Sequence, residues 1–331
     1  MTDAPDPTVG EIGESRILRE IFAVLAGSSR ALIGPGDDAA VLAVPDGRVV
    51  VTTDTLVHGP DFRLAWSGGE DLGWKAAAVN LADIAGMGAR PVALFVALAM
   101  PADTRLTFVR DLATGLRAAC DALAPGCAVE GGDLTISDTL TIAVTAVGML
   151  DGGEPVRRSG ARPGDTVALA GEAGMAAAGL RLLFARFRGT DGEAIAVPRD
   201  RLTPQETAAL DAQLRPRPPI ALGVQAAAAG ATAMMDVSDG LALDARRLAA
   251  ASGVTLALSA AALGGDPIAA LEGGEDHALL AAFPPEAALP EGFRSIGVVQ
   301  QPGGHPLLVD GAPYDGPGGW DPYRDWDRRS G

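Results

Sequence analysis

The sequence predicts an α+β protein of two mixed α/β domains, and three observations carry that prediction. Its 331 residues exceed one average domain of about 150 residues, so two cores are expected. Runs rich in Val, Ile, Leu and Thr alternate with Ala-Leu stretches of helical period, which argues against a helical bundle or a sandwich. A turn-rich stretch at 151–164 (DGGEPVRRSGARPG) interrupts the alternation and sets a junction near residue 155, dividing the chain into 1–154 and 155–331.

Segments 48–54 (RVVVTTD), 92–100 (VALFVALAM), 139–150 (TLTIAVTAVGML) and 165–170 (DTVALA) read as buried strands. Ser67 and Glu70 have capping-box spacing, so a helix is predicted over 70–87. Leu106, Val109, Leu112, Leu116, Cys120 and Leu123 recur at spacings of three and four, giving a second helix over 105–123 with one buried face. Past the junction come a helix over 174–187, a Pro-rich patch at 215–219, a strand ending at Asp236 and a helix over 239–252 closed by Gly253. Asp239 is the expected N-cap of that last helix. The tail after Pro302 is rich in Gly, Pro and Asp and shows little periodicity.

Composition narrows the function. A formal net charge of -16 argues against nucleic acid or an anionic membrane as partner, since both require a basic surface. No apolar run approaches the roughly 20 residues that cross a bilayer, and the acidic start lacks the basic segment of a secretory signal, so a cytosolic protein is expected. Cys120 and Cys127 form neither a disulfide framework nor a CxxC metal site. Among 26 basic residues Lys75 is the only lysine, which marks a position where arginine does not serve. The richness in Ala, Gly and Arg reads as codon bias with little functional content.

The informative signal is a set of aspartates where strands end or glycine turns begin: GDDAA at 36–40, TTDT at 52–55, GGD at 131–133, DVSDG at 236–240 and GGED at 273–276. Taken singly, each more often caps a turn or helix than binds a ligand. Together, carboxylates carried by several strands can converge on one crevice. Calcium loops gather their ligands in one short segment, whereas magnesium shares one or two carboxylates with substrate phosphates, so the dispersed pattern favours magnesium with phosphate. Asn80, Asp83 and Met87 share one face of the 70–87 helix, and a polar group on so apolar a helix needs a partner, either a salt bridge or a metal. Neither GxxxxGK[ST] nor a GxGxxG loop occurs, so metals must hold any phosphate. Three scattered histidines and no GxSxG elbow leave covalent catalysis without a nucleophile. A non-catalytic acidic module that binds calcium or a protein is the alternative from another class.

Taken in order, GDDAAVL, TTDTLV, WKAAAVNLADIAGMGARP, EGGDLT, RSGARPGD, DVSDGLALD and GGEDHALL resemble the thiamine-monophosphate kinase family, of the superfamily that includes aminoimidazole ribonucleotide synthetase. The resemblance runs over residues 10–325. It implies the aminoimidazole ribonucleotide synthetase-like fold and a homodimer whose N-terminal domains pair through their sheets into a barrel. It also implies a cleft where ATP, several magnesium ions and thiamine monophosphate meet, and direct in-line phosphoryl transfer yielding thiamine diphosphate. By motif, Asp38, Thr52, Thr53, Asp54, Asp83, Asp133, Asp236 and Asp239 match metal ligands, with Asp54, Asp133 and Asp236 closest to the chemistry. Gly132, Asp133, Arg158 and Ser238 match nucleotide contacts, and Glu275 and Trp320 match acceptor contacts. The family often carries a histidine just before the phenylalanine that follows TTDT. Here HGPDF puts Asp61 at that place, so Asp61 is the expected substitute. Related enzymes acting on other acceptors are disfavoured: selenophosphate synthetases resemble a chain with a reactive Cys in a glycine-rich N-terminal segment, and the hydrogenase-maturation dehydratases end in cysteine.

Overall fold

The computed structural model describes residues 6–34, 39–316 and 319. Its first half runs α1 (Val9–Ile12), α2 (Glu14–Leu25), β1 (Val50–Val57), α3 (Gly69–Gly86), β2 (Arg90–Met100), α4 (Leu106–Leu123), β3 (Ala128–Ile136) and β4 (Thr141–Met149). The second half runs β5 (Thr166–Ala170), α5 (Met175–Arg186), α6 (Pro204–Leu214), α7 (Ile220–Ala228), β6 (Ala233–Val237), α8 (Leu241–Ser252) and β7 (Thr255–Leu258). It continues through α9 (Pro267–Glu272), β8 (Ala278–Phe283), β9 (Phe293–Gln300), β10 (Leu307–Val309) and β11 (Ala312–Pro313).

The first sheet has the order β1-β4-β2-β3; β2 and β3 are parallel, bridged by α4, and the other pairs are antiparallel. The second sheet has the order β11-β10-β7-β9-β5-β8-β6, with β7 and β10 its one parallel pair. The largest apolar cluster reaches into both halves through Ile84, Val144, Ile220, Met234 and Phe283.

Helix α3 lies between the halves and is buried on nearly every side, the condition a helix apolar all round requires. Small residues allow this. A Cβ on Gly73 would stand 2.0 Å from the Leu112 carbonyl oxygen of α4, one on Gly115 2.1 Å from that of Glu70, and one on Gly223 of α7 2.2 Å from that of Ala85. The Ala and Gly content, read above as codon bias, is here what lets three helices approach backbone to backbone. The predicted α4 stripe is buried at Leu106, Val109, Leu112, Leu116 and Cys120.

Several sequence expectations need correction. Helix α3 starts at Gly69, where the Asp71 carboxylate accepts the Gly68 N–H at 3.1 Å, while Glu70 pairs with Arg215 at 2.9 Å; the Ser67–Glu70 box does not form. Helix α8 starts after Gly240, so Asp239 is not its N-cap. The GGD and TTDT motifs lie inside β3 and β1 and not at strand ends, and β1, expected to be buried, is largely exposed. On the face of the first sheet that carries Val51, 57% exposed, the alternate residues Thr53 and Thr55 are also exposed, as are Ala97 and Asp133 further along the sheet. Among the described residues, no helix is long and apolar enough to cross a membrane.

Candidate active site

Strand β1 runs beside α3, and the period of each dictates their contacts. Residues two apart on a strand face the same way, and residues three apart on a helix share a face. The Thr52 hydroxyl accordingly donates to Asp83 Oδ2 at 2.6 Å, and the Asp54 backbone N–H donates to Asn80 Oδ1 at 3.1 Å. Asn80 is oriented by its own amide, which donates to the Ala76 carbonyl at 2.9 Å. Strand β6 brings Asp236, 3% exposed, up to the end of α3, where a Cβ on Gly86 would meet the Asp236 nitrogen at 3.0 Å. His277 Nδ1 lies 3.1 Å from Asp236 Oδ2.

These carboxylates feel one another. Burial, foremost, pushes the Asp83 carboxyl up to about 7, with the charges of Asp236 and Asp54 adding and the Thr52 hydroxyl and His277 opposing. Burial likewise raises Asp54; His277 opposes it, while Asp236 and Asp239 add to it. Acids that resist ionising side by side mark a place short of positive charge. Asp54, Asp83 and Asp236 suit a magnesium ion, which is satisfied by one or two carboxylates when phosphate oxygens supply the rest. Among the described residues no group of three or more acidic, histidine or cysteine side chains is arranged to hold a metal ion by itself.

A cavity of about 500 Å³ opens over Thr52, Asp83, Met87, Arg158 and Asp236. A second, of about 390 Å³, is lined by Asp61, Lys75, Gln213 and Glu275 together with the aromatic rings of Trp66 and Phe184. Lys75, buried on α3, forms an ion pair with Glu275. With its amide oriented so that both ends are satisfied, Gln213 accepts from Lys75 Nζ at 3.2 Å and donates to the Ala176 carbonyl at 2.9 Å. Burial would raise Glu275, but the Lys75 charge prevails and holds its carboxyl below the ordinary range. Asp61 is raised by burial, against the Val57 N–H that it accepts at 2.7 Å. Lys75 and Asp83 are eight residues apart on one helix, so the two cavities are spaced by about 12 Å along α3.

The turn holding Glu275 is locally strained. Glu275 and His277 have φ of 73° and 53°, where side chains other than glycine are uncommon. Asp276 between them accepts the N–H groups of Gly174 at 2.6 Å and Ala176 at 2.8 Å, so the turn is anchored at the start of α5.

Of the residues named from sequence, Thr52, Asp54, Asp83, Asp236 and Arg158 come together, and Asp61 and Glu275 share the second cavity. Thr53 turns to the other face of β1, where its hydroxyl donates to the Val144 carbonyl at 3.0 Å. Asp239 pairs with Arg247 at 2.6 Å, and the Ser238 carbonyl accepts the Glu275 N–H at 2.8 Å. Gly132 and Asp133 stand at the opposite edge of the first sheet from Asp54, in a third cavity of about 870 Å³ with Glu130 and Phe22. Asp38 and Trp320 lie outside the described residues. Sequence reasoning left Lys75, Gln213 and His277 without roles. The single lysine was the available signal for the first, and its position directly after GGED was the signal for the last.

Comparison with known proteins identifies the family. Residues 36–150 match the family described as AIR synthase related protein, N-terminal domain. The thiamine-monophosphate kinase of Mycobacterium tuberculosis (strain ATCC 25618 / H37Rv) is 40% identical, spanning 98% of this chain and 95% of that protein. That of Corynebacterium glutamicum is 42% identical, spanning 88% of each. The crystal structure of thiamine-monophosphate kinase from Stenotrophomonas maltophilia K279a is similar with a TM-score of 0.75 at 31% identity, covering 90% of this chain and 96% of that one. AaThiL complexed with AMPPCP and TMP is similar with a TM-score of 0.71 at 32% identity, covering 94% and 97%. The mixed α/β fold is thus of the aminoimidazole ribonucleotide synthetase-like type, and the chain belongs to the thiamine-monophosphate kinase family.

Proposed function

We propose that this chain transfers the terminal phosphate of ATP directly to thiamine monophosphate, giving thiamine diphosphate and ADP, with magnesium. The carrying observation is the spacing along α3: Asp83 marks the carboxylate end, and Lys75 with Glu275 marks an aromatic-walled cavity about 12 Å away. That span suits an acceptor with a phosphate at one end and an organic ring system at the other. The relative solved with AMPPCP and TMP supports the same pair of ligands.

Asp54, Asp83 and Asp236 would hold magnesium, which supplies neutralisation of the crowded phosphate charges when bound. Arg158, lining the same cavity, adds a positive charge for the nucleotide. Lys75, Glu275 and Asp61 orient the acceptor, and Trp66 and Phe184, with Arg63 over both rings, give the cavity an aromatic wall. A phosphate acceptor is anionic at neutral pH, so positioning and charge neutralisation suffice and no nucleophile is needed. Ser238 and Asp239 share the DVSDG turn with Asp236 and extend the proposed nucleotide and metal contacts, and Asp38 and Trp320 keep the metal and acceptor roles that the resemblance implies; Thr53, Gly132 and Asp133 stand away from this cavity, so any ligand role for them belongs to another site.

Further parts of the reading are a homodimer, pairing the N-terminal sheets into a barrel, and a cytosolic location. The exposed row Val51, Thr53, Thr55 and Ala97 supports the pairing, and two buried free cysteines suit a reducing compartment. Division near residue 155 is supported by the first sheet ending at Met149 and the second starting at Thr166. The test is incubation with ATP, magnesium and thiamine monophosphate. Thiamine diphosphate and ADP are expected in equal amounts, and ADP formed without thiamine diphosphate would refute the reading.

A further inference from the structure

Strands β6 and β8 pair antiparallel, with Val237 opposite Ala278. Asp236 precedes Val237 and is opposite Leu279, and His277 precedes Ala278 just outside β8, so the two stand diagonally across the end of the ladder, 3% and 6% exposed. The imidazole Nδ1 is 3.1 Å from Asp236 Oδ2, and among the described residues no other side chain is hydrogen-bonded to this carboxylate. A carboxylate so deep in the protein requires a donor. The backbone goes out of its way to supply one. His277 takes φ 53°, which a side chain seldom adopts, and its N–H is tied to the Val237 carbonyl at 3.1 Å. The preceding residue, Asp276, is fixed by its two bonds to the start of α5. Two anchors therefore aim the ring at Asp236, and neither depends on the ring itself.

We propose that His277 is a positioning residue for the metal-holding group. By engaging one oxygen of Asp236 it fixes the carboxylate plane and leaves the other oxygen to a cation shared with Asp54 and Asp83. This rests on the magnesium reading above, and it assigns the histidine a task through Asp236, with no contact to substrate. Partners that orient a metal ligand in this way commonly change metal affinity about 10–100-fold when removed.

The geometry sets a test between two amides. In His277→Asn the amide nitrogen can take the place of Nδ1, and asparagine tolerates positive φ; in His277→Gln the nitrogen falls nearer the Nε2 position and misses Asp236. Magnesium-dependent binding of a non-hydrolysable ATP analogue, followed by calorimetry, is expected to weaken about tenfold or more in H277Q and to stay within about threefold in H277N. In an Asp236→Asn background H277Q should add less than about twofold, because the residue through which it acts is already altered. Melting of the ligand-free proteins confirms that each variant is folded. Equal binding by H277Q and the parent, or a full additional loss in the D236N background, overturns the proposal. If D236N alone leaves magnesium-dependent binding unchanged, the metal-site reading has failed, and the role given to His277 falls with it.

Discussion

Lys75 of α3 and Glu275 of the turn after α9 form an ion pair across the two halves, the lysine side chain 5% exposed and the glutamate 38%. Removing one partner of such a pair strands the other. Glu275→Ala leaves the buried ammonium with the Gln213 amide and the charge of Asp61 across the cavity, so a loss of about 2–4 kcal/mol is expected, tempered by the solvent that reaches the glutamate side. Differential scanning calorimetry should show a lowered melting temperature, and kinetics a raised KM for the acceptor with that for ATP unchanged. Lys75→Arg should behave similarly, because a forked guanidinium does not fit where one compact charge is enclosed.

Asp54→Asn is expected to abolish turnover, lowering kcat by about 10²-fold or more, without unfolding the protein. Asp54 is tied to α3 by its backbone N–H on Asn80, which the substitution leaves in place, and by a side-chain hydrogen bond with Asp83, which an asparagine amide can still donate. The side chain it neutralises is one of several repelling carboxylates, so the ligand-free melting temperature should hold or rise. An active D54N enzyme would show that the cation binds elsewhere.

Asp83 gives the pH dependence. Its folded carboxyl is raised by burial to about 7, above the ordinary value near 4, so its ionisation costs stability above about pH 7. As pH falls from about 7 towards 4 the folded state holds a proton that the unfolded chain has lost, and the cost is relieved progressively. Ligand-free protein should therefore gain stability between pH 8 and pH 6, whereas magnesium, which needs the ionised form, should bind up to about tenfold more weakly at pH 6 than at pH 7. Calorimetry in buffers of different ionisation enthalpy should detect proton release on magnesium binding.

How far the sequence could be read depended on range. The α4 stripe was legible because one face meets one apolar surface, and its buried residues are those the period picks out. Strand β3 was not, since EGGDLT is poor in β-formers and acquires its strand from the parallel neighbour β2. Asp54, Asp83 and Asp236 were legible as chemistry because each stands in a short motif beside an apolar run. The separation of Asp133 from them follows from the order β1-β4-β2-β3, which no local window encodes. The same holds for His277, which reaches Asp236 only through the β6–β8 register.

Gly223→Ala tests whether α3 must be held this closely. Alanine normally stabilises a helix by about 1 kcal/mol over glycine. Here the added Cβ would lie 2.2 Å from the Ala85 carbonyl oxygen, a backbone atom that no side-chain rotation can move aside. Overpacking of this kind costs about 1–3 kcal/mol or more and should outweigh the propensity gain, shifting α7 away from α3. Because α3 carries Asn80 and Asp83, the loss of stability should come with a higher magnesium concentration for half-maximal turnover. Gly265→Ala is the control, with nothing within 4 Å of the new atom and no left-handed φ, and should leave both measurements unchanged. A stable, fully active G223A would mean that α3 tolerates displacement, and that the carboxylate group is held by β1 and β6 alone.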